Sequence, residues 1–298
     1  MAVEFAGGVA TDIVLCGAGA SMANIWDAGG ACDFYIYLDS YDTTQRRMLD
    51  KGAFVGGANN GWTLSVQTIT ANNVIQFNID RATTRSLWRW YDYLAVAGWH
   101  HIAVNYDADV LTNDPSLYLD GTLQALSLGA GGGGGVGARG DDTAEVFAIG
   151  NIDNGLARGI DGQVDDPRIY STTLTVQEII IRAAGYRGPI GKEVGWWSGS
   201  DFQALGHPDG TALTTSHIMS DLSGNGNDGT PTNSPIARAS EAPRMPTWTI
   251  WAHAFRSIAT SLLEFVFAPT ARILADTTPT VTITLDATPT LNVEMRQP

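Results

Sequence analysis

The chain has 298 residues, 44% of them hydrophobic and only 16% charged, with 34 glycines and a formal net charge of −14. That length and apolar content build one large β domain or two smaller ones. The 17 Lys and Arg against 31 Asp and Glu create an average field that repels duplex DNA and anionic lipid, so nucleic-acid and membrane partners are not expected.

At the N-terminus no secretory signal is legible, because the first basic residue is Arg46 and Asp12 interrupts the apolar start. Cys16 follows Leu15 rather than a small residue, which argues against a lipoprotein cleavage site. Synthesis in a reducing cytoplasm is therefore expected, with Cys16 and Cys32 as buried free thiols rather than a bridge.

From Ala31 to Arg182 the pattern is period-2 alternation in short runs bounded by Gly, Asn and Asp, which predicts antiparallel strands with one buried face. Phe34, Ile36 and Leu38 form one such face, and further runs are 62–66, 74–79, 101–106 and 117–119. Asp120-Gly121 supplies the positive φ values of a tight hairpin before Thr122 to Leu126 returns. Eight or more strands without βαβ alternation imply two packed antiparallel sheets. Gly129 to Gly140 reads as a surface loop; it lacks the Lys and the following helix that a phosphate cradle needs.

Residues Gly185 to Pro246 turn rich in Gly, Pro, Ser and Asn around Val194-Gly195-Trp196-Trp197. Beyond them Trp248, Trp251, Phe255, Ile258, Leu262 and Phe265 repeat at spacings of 3, 4, 3, 4 and 3, an apolar stripe on one predicted helix. His253, Arg256 and Glu264 interrupt it, which argues against a bilayer span. The stripe is buried either on the sandwich or against other chains. Thr278-Pro279-Thr280-Val281-Thr282-Ile283 is echoed by Thr288-Pro289-Thr290-Leu291-Asn292-Val293, two Thr-rich strands of a β-arm suited to edge pairing.

Chemistry is sparse. Asp161 and Asp165 share a strand face but lie roughly 13 Å apart, too far for the carboxyl pair of a glycosidase. Alternation turns His100 and His101 to opposite faces, so they are read as packed or hydrogen-bonded rather than as metal ligands. The run Trp88-Arg89-Trp90-Tyr91-Asp92-Tyr93 offers aromatics on both strand faces; with Trp88, Trp90 and Asp92 outward, it contacts a glycan or a protein neighbour. Arg139-Gly140-Asp141 is discounted as a chance adhesion-like triplet in a Gly-rich stretch.

Four ordered stretches carry a family resemblance. Gly159-Ile160-Asp161-Gly162-Gln163-Val164-Asp165-Asp166-Pro167-Arg168-Ile169-Tyr170, with Leu174 and Glu178-Ile179, resembles the closing strand and helical turn of laminin-G-like, concanavalin A-like lectin/glucanase jelly rolls. Gly98 to Val104 resembles the central strand of that family, Leu117 to Gly121 its hairpin, and Phe147 to Gly150 the strand after its variable loop. Pro167 replaces an apolar residue there and points to a bulge or an edge. Asp221-Leu222-Ser223-Gly224-Asn225-Gly226-Asn227-Asp228-Gly229-Thr230 is similar to the segment that opens such domains, and it is displaced here to the C-terminal side. It completes either its own or a neighbour's sandwich.

The resemblance implies an all-β, antiparallel two-sheet jelly-roll sandwich over 1–190 and a completing segment over 191–246; the apolar stripe and the echo add an amphipathic helix with a β-arm for docking or oligomerisation over 247–298. The family includes glucanases, but none of the seven Glu sits in their Glu-x-Asp-x-x-Glu arrangement, so no catalysis is expected. Relatives often bind Ca²⁺ on loops, which makes Asp141, Asp142 and Asp153 candidate ligands beside the alternative of solvated acids. Two functions are open. One is a virion structural protein, such as a phage capsid decoration or head-fibre subunit on the particle exterior, homo-oligomeric and bound to other virion subunits. The alternative is a carbohydrate-binding or adhesion module whose partners are surface glycans.

Overall fold

The computed structural model describes residues 2–7, 12–53, 60–91, 98–109, 112–127, 135–153, 158–199, 206–244, 281–285 and 291–295. They fall into two units, Met1–Arg244 and Met245–Pro298. In the first, an eight-stranded antiparallel sheet, strands numbered in chain order, runs β10 (Thr122–Leu123), β9 (Ser116–Leu119), β8 (Trp99–Tyr106), β3 (Gly30–Leu38), β12 (Gly162–Tyr170), β1 (Ala2–Phe5) and β15 (Ile236–Arg238), with β13 (Glu193–Trp196) also paired to β12. The second sheet has seven strands: β14 (Thr230–Thr232), β2 (Ile13–Leu15), β11 (Ala148–Ile149), β4 (Arg46–Ala53), β5 (Asn60–Ile69), β6 (Asn72–Ile79) and β7 (Ser86–Tyr91). In the C-terminal unit β16 (Val281–Leu285) pairs antiparallel with β17 (Leu291–Met295), the two halves of the sequence echo. The predicted helix stripe from Trp248 to Phe265 lies outside the described residues.

Alternation sorts each strand into the sandwich. Cys32, Phe34, Ile36 and Leu38 of β3 join Ile102 and Val104 of β8 and Leu64, Val66, Ile75 and Phe77 of the facing sheet in one core. At about 25 cal/mol per Å² this burial is the main force closing the two sheets. Cys16 and Cys32 are free and buried, and burial pushes both thiols up. Asp120 and Gly121 take φ of 50° and 79°, the left-handed pair that a two-residue hairpin between β9 and β10 demands.

Pro167 marks a bulge inside a central strand. Asp165 pairs with Tyr35 and Arg168 with Asp33, so Asp166 and Pro167 together oppose Phe34, and Asp166 takes a φ of 53°. A residue without an N–H cannot donate to the ladder, and the bulge removes that demand.

The residues after 190 add to both sheets, β13 on β12, β14 on β2 and β15 on β1. Trp197 is fully buried, stacks on Phe147 at 5.1 Å and donates its indole N–H to the Asn227 carbonyl at 2.7 Å. The Asp221 carboxylate accepts the backbone N–H groups of Trp196, Ser223 and Asn227 at 3.0, 2.9 and 3.0 Å, which folds the Asp221–Asp228 loop. Its charge is spent on main chain, as in an Asx turn.

The short helix α1 (Val176–Ala183) starts at a reciprocal cap between Thr175 and Glu178 and buries Ile179 and Arg182. Beneath it the Asp33 carboxylate accepts from Arg182 Nε at 2.8 Å, from Tyr170 Oη at 3.1 Å and meets His101 Nε2 at 3.2 Å. Arg182 also pairs with Asp166 at 2.8 Å, and Arg168 pairs with Asp166 at 3.0 Å. His101 and His100 separate as alternation requires: His101 is buried in this network, while His100 Nδ1 meets Asp120 at 2.8 Å. Among the described residues no helix is long and apolar enough to cross a membrane.

One glycine is a close-approach point between the sheets. Gly150 has a φ of +81°, and a Cβ there would meet the Phe5 ring at 2.3 Å. Gly150→Ala is expected to cost about 2–3 kcal/mol, from left-handed strain plus overpacking. Urea unfolding checks it, and a loss well under about 1 kcal/mol would contradict this geometry.

Candidate functional site

The two tryptophans of β7 do not reach the surface, although Tyr91 is partly exposed. Trp88 and Trp90 are 0% exposed; Trp88 packs against Phe77 at 5.8 Å with nearly parallel rings and donates its N–H to Asp114 at 2.7 Å. The expected outward contact by Trp88 and Trp90 is therefore corrected. Although β7 is the edge of its sheet, its inner face is still roofed by the opposite sheet, and alternation sends both indoles there. Asp92 lies outside the described residues, as does the assembly stripe of Trp248, Trp251, Phe255, Ile258, Leu262 and Phe265.

Two of the three calcium candidates, Asp141 and Asp142, are consumed by the chain's own groups, and the third, Asp153, is an exposed loop acid. Asp142 is fully buried between Lys51 Nζ at 3.2 Å and Arg139 at 3.5 Å, and its Oδ1 takes the Asn24 N–H at 2.6 Å. The Asp141 carboxylate accepts from Asn24, from the Thr143 backbone and from the Thr143 hydroxyl, hydrogen bonds that hold its pKa near 2. Burial raises the Asp153 carboxyl. Among the described residues no group of three or more His, Cys, Asp or Glu side chains is arranged to hold a metal ion. The Arg139 of the adhesion-like triplet is forked onto Asp27.

Aromatic surface is found on the outer face of the eight-stranded sheet. Trp99 of β8 pairs with Tyr37 of β3, Tyr37 with Gln163 of β12, Gln163 with Glu4 of β1, and Glu4 with Ile236 of β15. All five are partly exposed. The Trp99 and Tyr37 rings lie 5.8 Å apart, tilted by 56°. At ~4.8 Å between strands, the row from Trp99 to Glu4 spans roughly 14 Å. It puts two ring faces beside an amide and a carboxylate, and Arg238 closes on both Glu4 oxygens. The neighbouring row is sealed, because Arg187 lies over the Tyr35 ring at 4.1 Å.

On its other side the row runs to a small pocket. Asp161 stands two residues before Gln163, and so on the same face, and lines a cavity of about 160 Å³ with Gly7, Ser40, Asp42 and Arg46. Its carboxylate accepts the Gly7 N–H at 3.2 Å and the Ser40 hydroxyl. Asp39 donates its backbone N–H to the Asp161 carbonyl at 2.9 Å, which puts a second, exposed carboxylate beside the first. Desolvation raises the Asp39 carboxyl, and the Asp161 and Glu4 charges push it further the same way. Chemically the row and pocket suit a ligand that alternates C–H faces with hydroxyls.

The outer face of the seven-stranded sheet is polar but closed. Arg47, Asp50, Thr63, Ser65, Gln76 and Asn78 are each at most 5% exposed. Burial pushes the Asp50 carboxyl up to about 6, against the opposing pull of Arg47 and the Thr63 hydroxyl. Gln45 Nε2, from the residue just ahead of β4, donates to Ser65 Oγ at 2.8 Å.

The sequence reading missed Tyr37 and Trp99. The signal was present: once Phe34, Ile36 and Leu38 are read as the core face, Tyr35 and Tyr37 occupy the other, and Trp99 shares the outward parity of His101. What was not legible is that the registers of β8, β3, β12 and β1 bring these residues into one row.

The fold and this surface define a two-sheet lectin-type jelly roll. A family model described as the concanavalin A-like lectin/glucanases superfamily matches residues 21–180, more than half of the chain, and the chain belongs to that superfamily. A comparison with curated proteins gives no match. Among solved structures the chain is similar to a putative carbohydrate binding protein from Bacteroides ovatus, at 15% identity and a TM-score of 0.49, over 82% of this chain and 61% of that one. It is also similar to a heptameric SAP-like pentraxin from Limulus polyphemus, at 12% identity and a TM-score of 0.44, over 63% of this chain and 84% of that one. A third is the Ruminococcus gnavus IT-sialidase CBM40 bound to α2,3 sialyllactose, at 15% identity and a TM-score of 0.43, over 61% of this chain and 96% of that one.

Proposed function

We propose that this protein is a non-catalytic carbohydrate-binding module and that its glycan lies along the row Trp99, Tyr37, Gln163 and Glu4. The observation that carries the reading is the partly exposed Trp99–Tyr37 ring pair in register with hydrogen-bonding side chains, on a chain of the lectin/glucanase superfamily. Sugar rings present apolar C–H faces to aromatics and hydroxyls to amides and carboxylates. The non-catalytic part is supported by the carboxyls themselves. Asp50, whose raised pKa suits a general acid, is 1% exposed. The Asp165 carboxylate is equally buried, facing Arg187 and Ser240.

Calorimetric titration against a panel of soluble oligosaccharides tests the reading. Trp99→Ala and Tyr37→Ala are each expected to weaken binding about tenfold, in line with 0.5–1.5 kcal/mol for an aromatic contact beyond its buried area. Leu123→Ala, at a site 57% exposed on β10, serves as the control and leaves affinity unchanged. Glycan binding indifferent to both aromatic substitutions in folded protein would overturn the assignment of the row.

A second reading, a subunit on a virion exterior, is favoured by one observation: residues Met245–Pro298 form a unit of their own carrying the β16–β17 hairpin. Under it, deletion of that unit abolishes particle attachment and leaves sugar binding intact.

A further inference from the structure

Resting on the glycan-binding reading, we infer that the row and its pocket select sugars bearing free amino groups over neutral sugars and turn away acidic ones. The cations at the site are already engaged. Arg238 is clamped on both oxygens of Glu4, and Arg46 is held by Asp42, its Nε donating to Asp42 at 3.0 Å. A uronate or sialate carboxylate would have to break one of these pairs to find a counter-charge.

Two carboxylates are left over. Asp39 and Asp161 sit on adjacent strand ends, joined through the Asp39 N–H to Asp161 carbonyl bond at 2.9 Å. Among the described residues neither forms an ion pair, and the partners of the Asp161 carboxylate are the neutral Gly7 N–H and Ser40 hydroxyl. An ammonium on a sugar ring resting in the 160 Å³ pocket meets Asp161 directly and has Asp39 beside it. The ring pair adds to this, because a cationic sugar over Trp99 or Tyr37 gains from the negative face of the aromatic system. The net charge of −14 acts at longer range in the same direction.

The test compares a glucosamine tetramer with its N-acetylated form, which keeps the backbone and removes the charge, and with a uronic acid tetramer. Affinities are measured by calorimetry on the full chain, at a pH where the sugar amines are protonated. The amino form is expected to bind about threefold to fivefold more tightly than the N-acetyl form at low salt, with the difference shrinking at high salt. No binding of the uronate is expected. Asp39→Asn, at an exposed position, should lower the ratio of amino-form to N-acetyl-form affinity. Equal or tighter binding of the N-acetyl form, or tight binding of the uronate, overturns the charge selectivity and leaves the glycan reading standing. Binding of none of the three, with no binding across the oligosaccharide panel either, overturns the reading itself and the selectivity with it.

Discussion

Arg182→Met is expected to lower the free energy of unfolding by about 3–5 kcal/mol, the cost of stranding a buried charge. Arg182 is 0% exposed and faces both Asp33 at 2.8 Å and Asp166 at 2.8 Å, and both carboxylates are themselves buried. Removing the guanidinium leaves Asp33 with a His101 whose own pKa burial pushes down, so histidine is a poor substitute cation. The loss also removes one of the two buried side chains, with Ile179, through which α1 sits on the sheet. Adding Asp33→Asn to Arg182→Met should recover part of the deficit, because the partner charge is then gone as well. Chemical denaturation of both variants checks this; a single-variant loss under about 1 kcal/mol would overturn it.

The same network fixes a pH response at the acid end. Although burial works the other way, Arg182 and His101 hold the Asp33 carboxyl well below the usual carboxylate range. A depressed folded-state pKa contributes stability that is fully present above the ordinary carboxylate value near 4 and is lost as pH falls through that value toward the folded one.

Asp50 behaves in the opposite sense, with an expected effect of about 3 kcal/mol. Its folded-state carboxyl is pushed up to about 6 by burial. The unfolded chain titrates near 3.9, so between about pH 4 and pH 6 the folded state binds the extra proton. Stability from this group is therefore full at the acid side and falls as pH rises to about 6. A shift of about two units at 1.36 kcal/mol each sets the size. In Asp50→Asn the slope should flatten by that amount, and subtracting the two stability curves isolates it from other titrating groups. The substitution also removes the counter-charge that Arg47 Nε has at 3.7 Å. Burial lowers Arg47 to about 10, so Arg47 stays charged across the acid window, and its attraction to Asp50, present only where Asp50 is ionised, is already part of the folded-state shift. Parallel curves for the two proteins between pH 4 and 7 would refute the assignment.

The legible part of this protein was local. Parity along Phe34, Ile36 and Leu38 placed the core face, Asp120-Gly121 placed the hairpin, and Pro167 marked a break in β12 that proved to be a bulge in a central strand. Trp88 and Trp90 show the limit of the same logic. Parity puts two alternate residues on a common face, yet it does not say which face meets the other sheet, and a run with aromatics at both parities leaves that choice open.

The charged residues show a second limit. Asp141 and Asp142 read as loop acids available to a cation, whereas the fold delivers Lys51 to Asp142 from 91 residues away in sequence and Asn24 from 118, beside the local Arg139. Asp33, Arg182, His101 and Asp166 carried no sequence signal as a network, because they sit on different elements that meet only once α1 packs on the sheet.

What the sequence determined by itself was the all-β architecture, its superfamily and most strand faces, because alternation, turn φ values and ladder breaks act over a few residues of contiguous chain. What only the tertiary structure decided was which residues become neighbours across strands. The row of Trp99, Tyr37, Gln163 and Glu4 exists because four antiparallel registers coincide. A shift of any one strand by a single residue would turn its member of the row into the core.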